Sequence, residues 1–321
     1  MIALNTKFKA LAVAAGLAAS LSAFASSTIT FDPTGTVGTA GDVKVGSFDQ
    51  SPGNALAIGA NARSTVGTTF NLVYQANLGT LNNSNGAAFF LNGTGGNYFT
   101  FVAGFNEIIT GNTINPTTGV GTLTFGFGPS NANAITSTNF FYMYAQSTAG
   151  SDLTGTGFVG ATPILSGHFV STGYVSAFTA NGLGTSPTAL DGFGDNNYSG
   201  VTSIVGAGST VATLVIDGFN AAYFPDLVVG ATSSLINTSQ NLAFNQTNPS
   251  GVFSADGRTA PALAGVGSVG SVNGISGPNT IFQADANQSF TVAAVPEPMP
   301  AALIGLGLVA LGLARRKSKT A

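Results

Sequence analysis

The chain has 321 residues, of which only 7% are charged and none is cysteine. The missing cysteines exclude a disulfide framework, thiolate catalysis and thiolate metal sites. A hydrophobic content of 44% with 24 phenylalanines favours a folded chain over a disordered one, because disordered chains combine low hydrophobicity with high net charge.

The charge of the chain is unevenly distributed. Between residues 26 and 295 there are three cations (Lys44, Arg63 and Arg258) against eleven acidic residues, a net charge of −8 for this central part. Such a body is not drawn electrostatically to DNA, RNA or anionic lipid, so we expect no nucleic-acid partner. Divalent cations or neutral polysaccharide fit this charge better.

The first 25 residues have the three parts of a secretion signal. Lys7 and Lys9 form a positive start, and residues 10–21 form an apolar run. A membrane anchor is the alternative, but this run is too short for a hydrocarbon core that requires about 20 residues. We predict a signal helix over residues 1–25, with signal peptidase cleaving after the small-x-small pattern of Ala23 and Ala25, so that the mature chain starts at Ser26.

The central part of the chain shows the period of two that is typical of strands. Large apolar residues alternate at five places, and Gly, Asn, Asp, Ser and Pro fill the intervals between them. The alternating sets are Phe70, Leu72 and Tyr74; Phe99, Phe101, Ala103 and Phe105; Leu123, Phe125 and Phe127; Phe140, Tyr142 and Tyr144; and Phe290 with Val292.

Two later segments complete the predicted fold. Residues 211–217 form a more continuous apolar run, typical of a strand buried on both faces, and residues 281–293 suggest a last strand pair. We predict an all-β fold, with an antiparallel β-sandwich or jelly-roll-like body over residues 26–293. Residues 1–25 and 294–321 are expected to be the signal peptide and a C-terminal tail with a short transmembrane helix.

Catalytic patterns are weak in this sequence. Residues 155–160 match the glycine string of dinucleotide-binding sites, but no helix or following acid accompanies them. His168 is the only histidine, with Asp152, Asp191 or Asp195 as conceivable partners, and no nucleophile elbow is present. Glu107 is the only glutamate of the body, whereas glycoside hydrolysis requires two carboxylates. We therefore expect no enzymatic activity and no cofactor.

One loop offers hard oxygen ligands for a cation. Asp191, Asp195 and Asn197 lie within seven residues of one another, and Ca²⁺ is held by carboxylate and amide oxygens of this kind. The segment lacks the spacing of an EF-hand, and the same residue types are ordinary in turns. A calcium site and a solvated turn both remain open on the sequence.

The C-terminal tail has three parts in a fixed order. Pro296, Glu297 and Pro298 precede an apolar run over residues 301–314, and three cations follow at once: Arg315, Arg316 and Lys317. The run is about 21 Å long as a helix, short for a permanent span, and the cations hold its end on the cytoplasmic side. This predicts a transient membrane stop.

This order of residues resembles the PEP-CTERM sorting domain of Gram-negative bacteria that secrete extracellular polysaccharide. The resemblance covers about the last 26 residues. It implies export through the inner membrane, processing by an exosortase near Pro296, Glu297 and Pro298, and release to the outer surface or extracellular matrix. An ordinary C-terminal anchor is the alternative.

Fragments of the body resemble flocculation-associated PEP-CTERM proteins, which implies a structural role in flocs, biofilm or a polysaccharide matrix. The fragments are residues 105–108, 140–167 and 283–287. Extracellular polysaccharide and other surface proteins are the partners expected on this reading. A carbohydrate- or calcium-binding module is the alternative function, and a secreted hydrolase is the third.

Overall fold

The computed structural model of the protein describes residues 28–38, 41–183, 189–195, 197–230, 232–239, 242–255, 258–260 and 269–291. These residues belong to one compact unit, Ser27–Val292. The predicted signal helix and the sorting tail lie outside the described residues.

The described part of the chain is all-β, as predicted. It contains no α-helix, and its single 3₁₀ turn is Thr94–Gly96. No helix within it has the length and hydropathy needed to span a membrane. The strands are β1 (Ile29–Phe31), β2 (Val43–Val45), β3 (Ser47–Gln50), β4 (Gly53–Ile58), β5 (Thr69–Asn82), β6 (Ala88–Leu91), β7 (Tyr98–Asn112), β8 (Val120–Phe127), β9 (Phe140–Gln146), β10 (Leu165–Leu183), β11 (Thr202–Phe219), β12 (Thr232–Ser239), β13 (Phe253–Ala255), β14 (Arg258–Ala260), β15 (Val272–Asn273) and β16 (Thr280–Thr291).

Four of the alternating sets lie in strands β5, β7, β8 and β9, and Phe290 of the fifth lies in β16, which confirms the period there. Val292 lies outside the described residues. Two details of the predicted fold were wrong. The run 211–217 lies in β11, where alternate residues such as Leu214 are buried but Val211 is 37% exposed, so only one face is buried. The expected last strand pair is one strand, β16, because its partners β12, β3 and β4 come from distant parts of the chain.

The main sheet closes on itself through antiparallel pairs. Around the ring, β5 pairs with β7, and β7 pairs with both β8 and β9. Strands β8 and β9 each pair with β10. Strand β10 then pairs with β11, and β11 pairs with β12. Strand β12 then pairs with β16, which pairs with β3 and β4, and these return to β5. This closure gives each strand in the ring a hydrogen-bonded neighbour on both sides.

Aromatic side chains fill one end of the ring. Phe31 reaches into it from the β1–β2 hairpin and lies 5.2 Å from Phe48, 5.3 Å from Phe99 and 5.0 Å from Phe224 between ring centroids. All four side chains are fully buried. Each buried phenylalanine contributes roughly 1.5–3 kcal/mol by leaving water, and edge-to-face pairs add to this. This cluster stabilises a chain that has no cysteine and therefore no disulfide.

A segment late in the chain covers part of the outer face of the ring. Phe244 and Phe253 pack there with Leu56 of β4 and Val73 of β5. Buried amides fix this cover: Gln75 Nε2 donates to the carbonyl of Val252 at 2.9 Å. These strands are therefore buried on both faces.

We predict that Gln288→Met stabilises the protein. Gln288 is fully buried among the core positions of β16, opposite Leu235 and Phe48, and neither amide atom has a hydrogen-bond partner among the described residues. Removing an unsatisfied buried amide should raise the free energy of unfolding by about 1 kcal/mol or more, measured by urea denaturation.

Gln283 of the same strand is the matched control for this change. It is also buried, but it accepts a hydrogen bond from Gln246 N at 2.9 Å and donates to Asn245 Oδ1 at 2.7 Å. Gln283→Met should therefore destabilise the protein. Equal losses in both variants would contradict the interpretation of Gln288.

Candidate functional site

The most distinctive polar group in the interior is the carboxyl of Glu107. Glu107 lies on β7 in the same alternation as Phe105 and Ile109, both of which are buried in the core. The strand therefore directs the Glu107 side chain into the core, and Glu107 is only 3% exposed. A carboxyl in this position requires hydrogen bonds, because burial of an unsatisfied acid is costly.

Two hydroxyl groups of β10 contact this carboxyl, and a third hydroxyl group, on β11, contacts one of them. Tyr174 donates through its hydroxyl to Glu107 Oε1, and Ser176 is a second hydrogen-bond partner. Ser176 Oγ lies 2.8 Å from Thr210 Oγ1, directly across the β10–β11 pair. We call Glu107, Tyr174, Ser176 and Thr210 the polar wall.

An irregularity in β10 places Tyr174 in the polar wall. The register with β11 shifts between Val170 and Val175, where β10 has extra residues, and Gly173 takes a positive φ of 72°. Such bulges redirect side chains. The Tyr174 ring packs against Phe105 at 6.0 Å and Phe127 at 5.5 Å between centroids.

Burial changes the proton affinity of the Glu107 carboxyl and of the Tyr174 hydroxyl. Removal from water raises the pKa of Glu107 to about 7, and the hydrogen bonds from Tyr174 and Ser176 offset this rise only in part. Burial, and then the neighbouring charge of Glu107, raises the pKa of the Tyr174 hydroxyl far above its ordinary value. Tyr174 is thus a permanent donor, while Glu107 exchanges its proton near neutral pH.

A cavity of about 120 Å³ lies beside the polar wall. Small residues create the space, and larger apolar side chains form its sides. Among the described residues of its lining, Glu107 is the only acidic or basic one. The lining includes Ala57, Ala60, Ala62, Gly206, Phe70, Leu72, Ile109, Ile114, Leu123, Phe125, Phe178 and Ile204.

Phe244, which lines one side of this cavity, has an unusual backbone conformation. Phe244 is fully buried with a φ of 30°, a conformation that is rare for a bulky residue. Its backbone passes close to Gly192, where an added Cβ would lie 3.1 Å from the carbonyl oxygen of Phe244. Leu242 and Ser209 lie at the surface end of the lining and are exposed.

The predicted calcium ligands lie in the loop that contains Gly192 and passes close to Phe244. Asp191 Oδ2 accepts from the Tyr198 backbone at 3.0 Å, Asp195 N donates to Asn248 Oδ1 at 2.9 Å, and Asn197 Nδ2 donates to the Pro249 carbonyl at 3.1 Å. No group of three or more acidic or histidine side chains suited to a metal occurs in the described part of the chain. Calcium binding by this loop stays a prediction.

His168 has a different partner from those considered on the sequence. Its Nδ1 lies 2.7 Å from Asp217 Oδ2, and its Nε2 lies 3.1 Å from Asn133 Oδ1. Asp152, Asp191 and Asp195 are not its hydrogen-bond partners, because the β10–β11 register brings Asp217 beside it. Both ring nitrogens are engaged, which gives the buried ring a structural role.

The glycine string 155–160 lies in the loop between β9 and β10, with no helix after it. Phe158 within the string is fully buried in a side cluster with Phe140 and Tyr144. The sorting residues Pro296, Glu297 and Pro298 lie outside the described residues. So do the cations Arg315, Arg316 and Lys317 and the cleavage residues Ala23, Ala25 and Ser26.

Glu107 was considered from the sequence only as the single glutamate of the body and was assigned to no site. The signal was available, because Glu107 continues the alternation of Phe99, Phe101, Ala103 and Phe105 and so falls on the buried face. Its partners could not be found this way, because Tyr174 and Ser176 are reached only through the register of β8 and β10.

Comparisons with models of protein families, with curated proteins and with solved structures found no match to this chain.

We predict that stability falls as pH rises through the titration of Glu107. Its pKa is higher in the folded state, about 7, than the ordinary value of an unfolded glutamate, so the stabilising contribution is complete below about pH 4 and is lost through about pH 7. Over this range Glu107 should account for roughly 2–3 kcal/mol of the free energy of unfolding. Urea denaturation across this pH range measures the change.

Glu107→Gln should make that pH dependence shallower. Some slope should remain, because burial also raises the pKa of Asp152 and of Asp285 to about 6, with the Asp49 charge adding to the rise at Asp285. Asp42→Asn, on the surface, controls for the loss of one acidic group. An identical pH profile for Glu107→Gln and the unmodified protein would show that Glu107 does not titrate in this way.

Proposed function

We propose that the chain is an exported, non-enzymatic protein of the bacterial surface or extracellular matrix. The observation that carries this proposal is the three-part tail: Pro296, Glu297 and Pro298, the apolar run, and Arg315, Arg316 and Lys317. Signal peptidase and an exosortase are its processing enzymes. Its membrane contact through the C-terminal helix is transient, and the mature protein contributes to flocculation, biofilm or polysaccharide matrix.

The body suits a structural role outside the cell. Closure of the sheet and the aromatic interior provide stability without disulfides, and ion pairs add little: the described part contains Lys44 with Asp226 and His168 with Asp217. We include in the proposal that the closed sheet is flattened into two facing layers, as in a β-sandwich or jelly roll. Such a body tolerates changes in salt better than one stabilised by surface charges.

Binding of neutral polysaccharide is the second candidate function. One exposed sheet surface carries a row of threonines across β7, β8 and β10: Thr110 and Thr124 Oγ1 atoms lie 3.0 Å apart, and those of Thr122 and Thr179 lie 3.3 Å apart. Uncharged hydroxyl groups on neighbouring strands match the hydroxyl groups of a sugar chain. A higher melting temperature with matrix polysaccharide would favour this candidate, and one with Ca²⁺ would favour a calcium-binding module.

We predict that two changes in the tail fail in different compartments. Glu297→Ala should block processing while leaving membrane insertion intact, so full-length protein accumulates in the inner membrane. Replacing Arg315, Arg316 and Lys317 with neutral residues should weaken retention, because short apolar runs depend on flanking cations for orientation. Fractionation with mass spectrometry of the mature C-terminus measures both.

Cell aggregation tests the functional part of the proposal. A strain lacking the protein and a strain with Glu297→Ala should both show reduced flocculation, because neither delivers the protein to the surface. An exported protein that still ends at Ala321 would contradict removal of the tail. Unchanged aggregation and matrix retention in the deletion strain would contradict the structural role.

A further inference from the structure

The cavity beside Glu107 combines features of a ligand site rather than of a packing defect. Its walls are mostly apolar, with several uncharged polar residues such as Asn61 and Asn273, and one wall holds a buried carboxyl with hydroxyl partners. No ion pair among the described residues involves Glu107: Lys44 pairs with Asp226, His168 contacts Asp217, and Arg63 is exposed. The carboxyl therefore has hydrogen-bonding partners but no counter-ion there.

We propose that this cavity binds a small apolar molecule, about the size of one aromatic ring, that carries a single hydroxyl or amino group. This group donates a hydrogen bond to the carboxylate of Glu107. The proposal does not depend on export or on the sorting tail. It assigns the closed body a binding activity of its own.

The volume sets the size of the ligand. A dry protein cavity of about 150 Å³ lined by apolar residues binds benzene, so a space of about 120 Å³ suits a single ring or a short branched chain. Ala57, Ala60 and Ala62 leave the space open where the rest of the interior is filled with phenylalanine. A sugar would leave most of its hydroxyl groups unpaired against such walls.

The polar wall sets the chemistry of the head group. Tyr174 donates to Oε1 of Glu107, and Ser176, which lies 2.8 Å from Thr210, is the other partner. Two carboxylate oxygens together offer about four acceptor positions, so capacity for one more donor remains. A ligand hydroxyl would use that capacity, an ammonium group would also supply the missing counter-ion, and a ligand carboxylate would be repelled.

The lining reaches the surface at one side. Leu242 is 51% exposed and Ser209 is exposed, whereas Phe244, two residues after Leu242, is fully buried in its positive-φ conformation. Strained residues of this kind concentrate at ligand sites. The side of the lining that carries Leu242 and Ser209 is therefore where we expect a ligand to enter.

A series of ligands with one skeleton tests this proposal. Benzyl alcohol, benzylamine, toluene and benzoate share a ring and differ in the head group. With the purified full chain at about pH 8, where Glu107 is mostly ionised, benzylamine and benzyl alcohol should bind more tightly than toluene, and benzoate should not bind. Isothermal titration and ligand-observed NMR measure the affinities.

Two variants locate the site. Glu107→Gln keeps the shape of the wall but removes its charge, so it should weaken benzylamine by about tenfold or more and leave toluene unchanged. Ala60→Leu should fill part of the cavity and weaken all three ligands. Melting curves establish that each variant is folded, and Ala62→Leu provides a second filling change if Ala60→Leu is not.

Three results would overturn the proposal. They are no binding of benzylamine, benzyl alcohol or toluene up to their solubility limits, benzoate binding as tightly as benzyl alcohol, or affinities that neither Glu107→Gln nor a folded filling variant changes.

Discussion

The structure depends on the closure of one antiparallel sheet. The pairing of β12 with β16 closes the sheet into a ring, and its eight paired positions connect residues about 50 apart in the chain. Without the β12–β16 pairing, β12 and β16 would each present an open edge, and the aromatic interior would be accessible to water. The chain has no disulfide to perform the same task, so backbone pairing and apolar burial must do so together.

The candidate site is a consequence of how that interior is filled. Phenylalanines occupy the end near Phe31 and Phe48, whereas alanines and Gly206 occupy the region beside Glu107 and leave a space. A ring lined by large residues throughout would have no cavity, and a ring without Glu107 would have an apolar one. The combination of small residues with one acid distinguishes this region from the rest of the core.

Local sequence pattern was sufficient for the strands whose residues alternate strongly. The phenylalanines of β7 and β8 predicted both the strands and their buried faces. The long strands β10 and β11 were harder, because Ser, Thr and Gly dominate much of them, and the apolar run near Val211 was interpreted as buried on both faces. Pattern reports which residues alternate, but not whether the second face is covered.

Features that depend on register could not be predicted from the sequence. The pairing of His168 with Asp217 spans 49 positions, and the approach of Tyr174 to Glu107 spans 67 positions and requires the irregularity in β10. The closed order of strands has the same origin, because each partner choice is made between distant segments. Glu107 itself was within reach, since its place in the β7 alternation already directs it inward.

Native-state hydrogen exchange of the full chain tests the closed sheet most directly. If the ring is continuous, the amides between β12 and β16 should open with the same free energy as those between β5 and β7, because both are lost only when the whole sheet unfolds. Rapid exchange of the β12 amides, with β5 and β7 still protected, would mean that the sheet is open at this seam and would contradict the account.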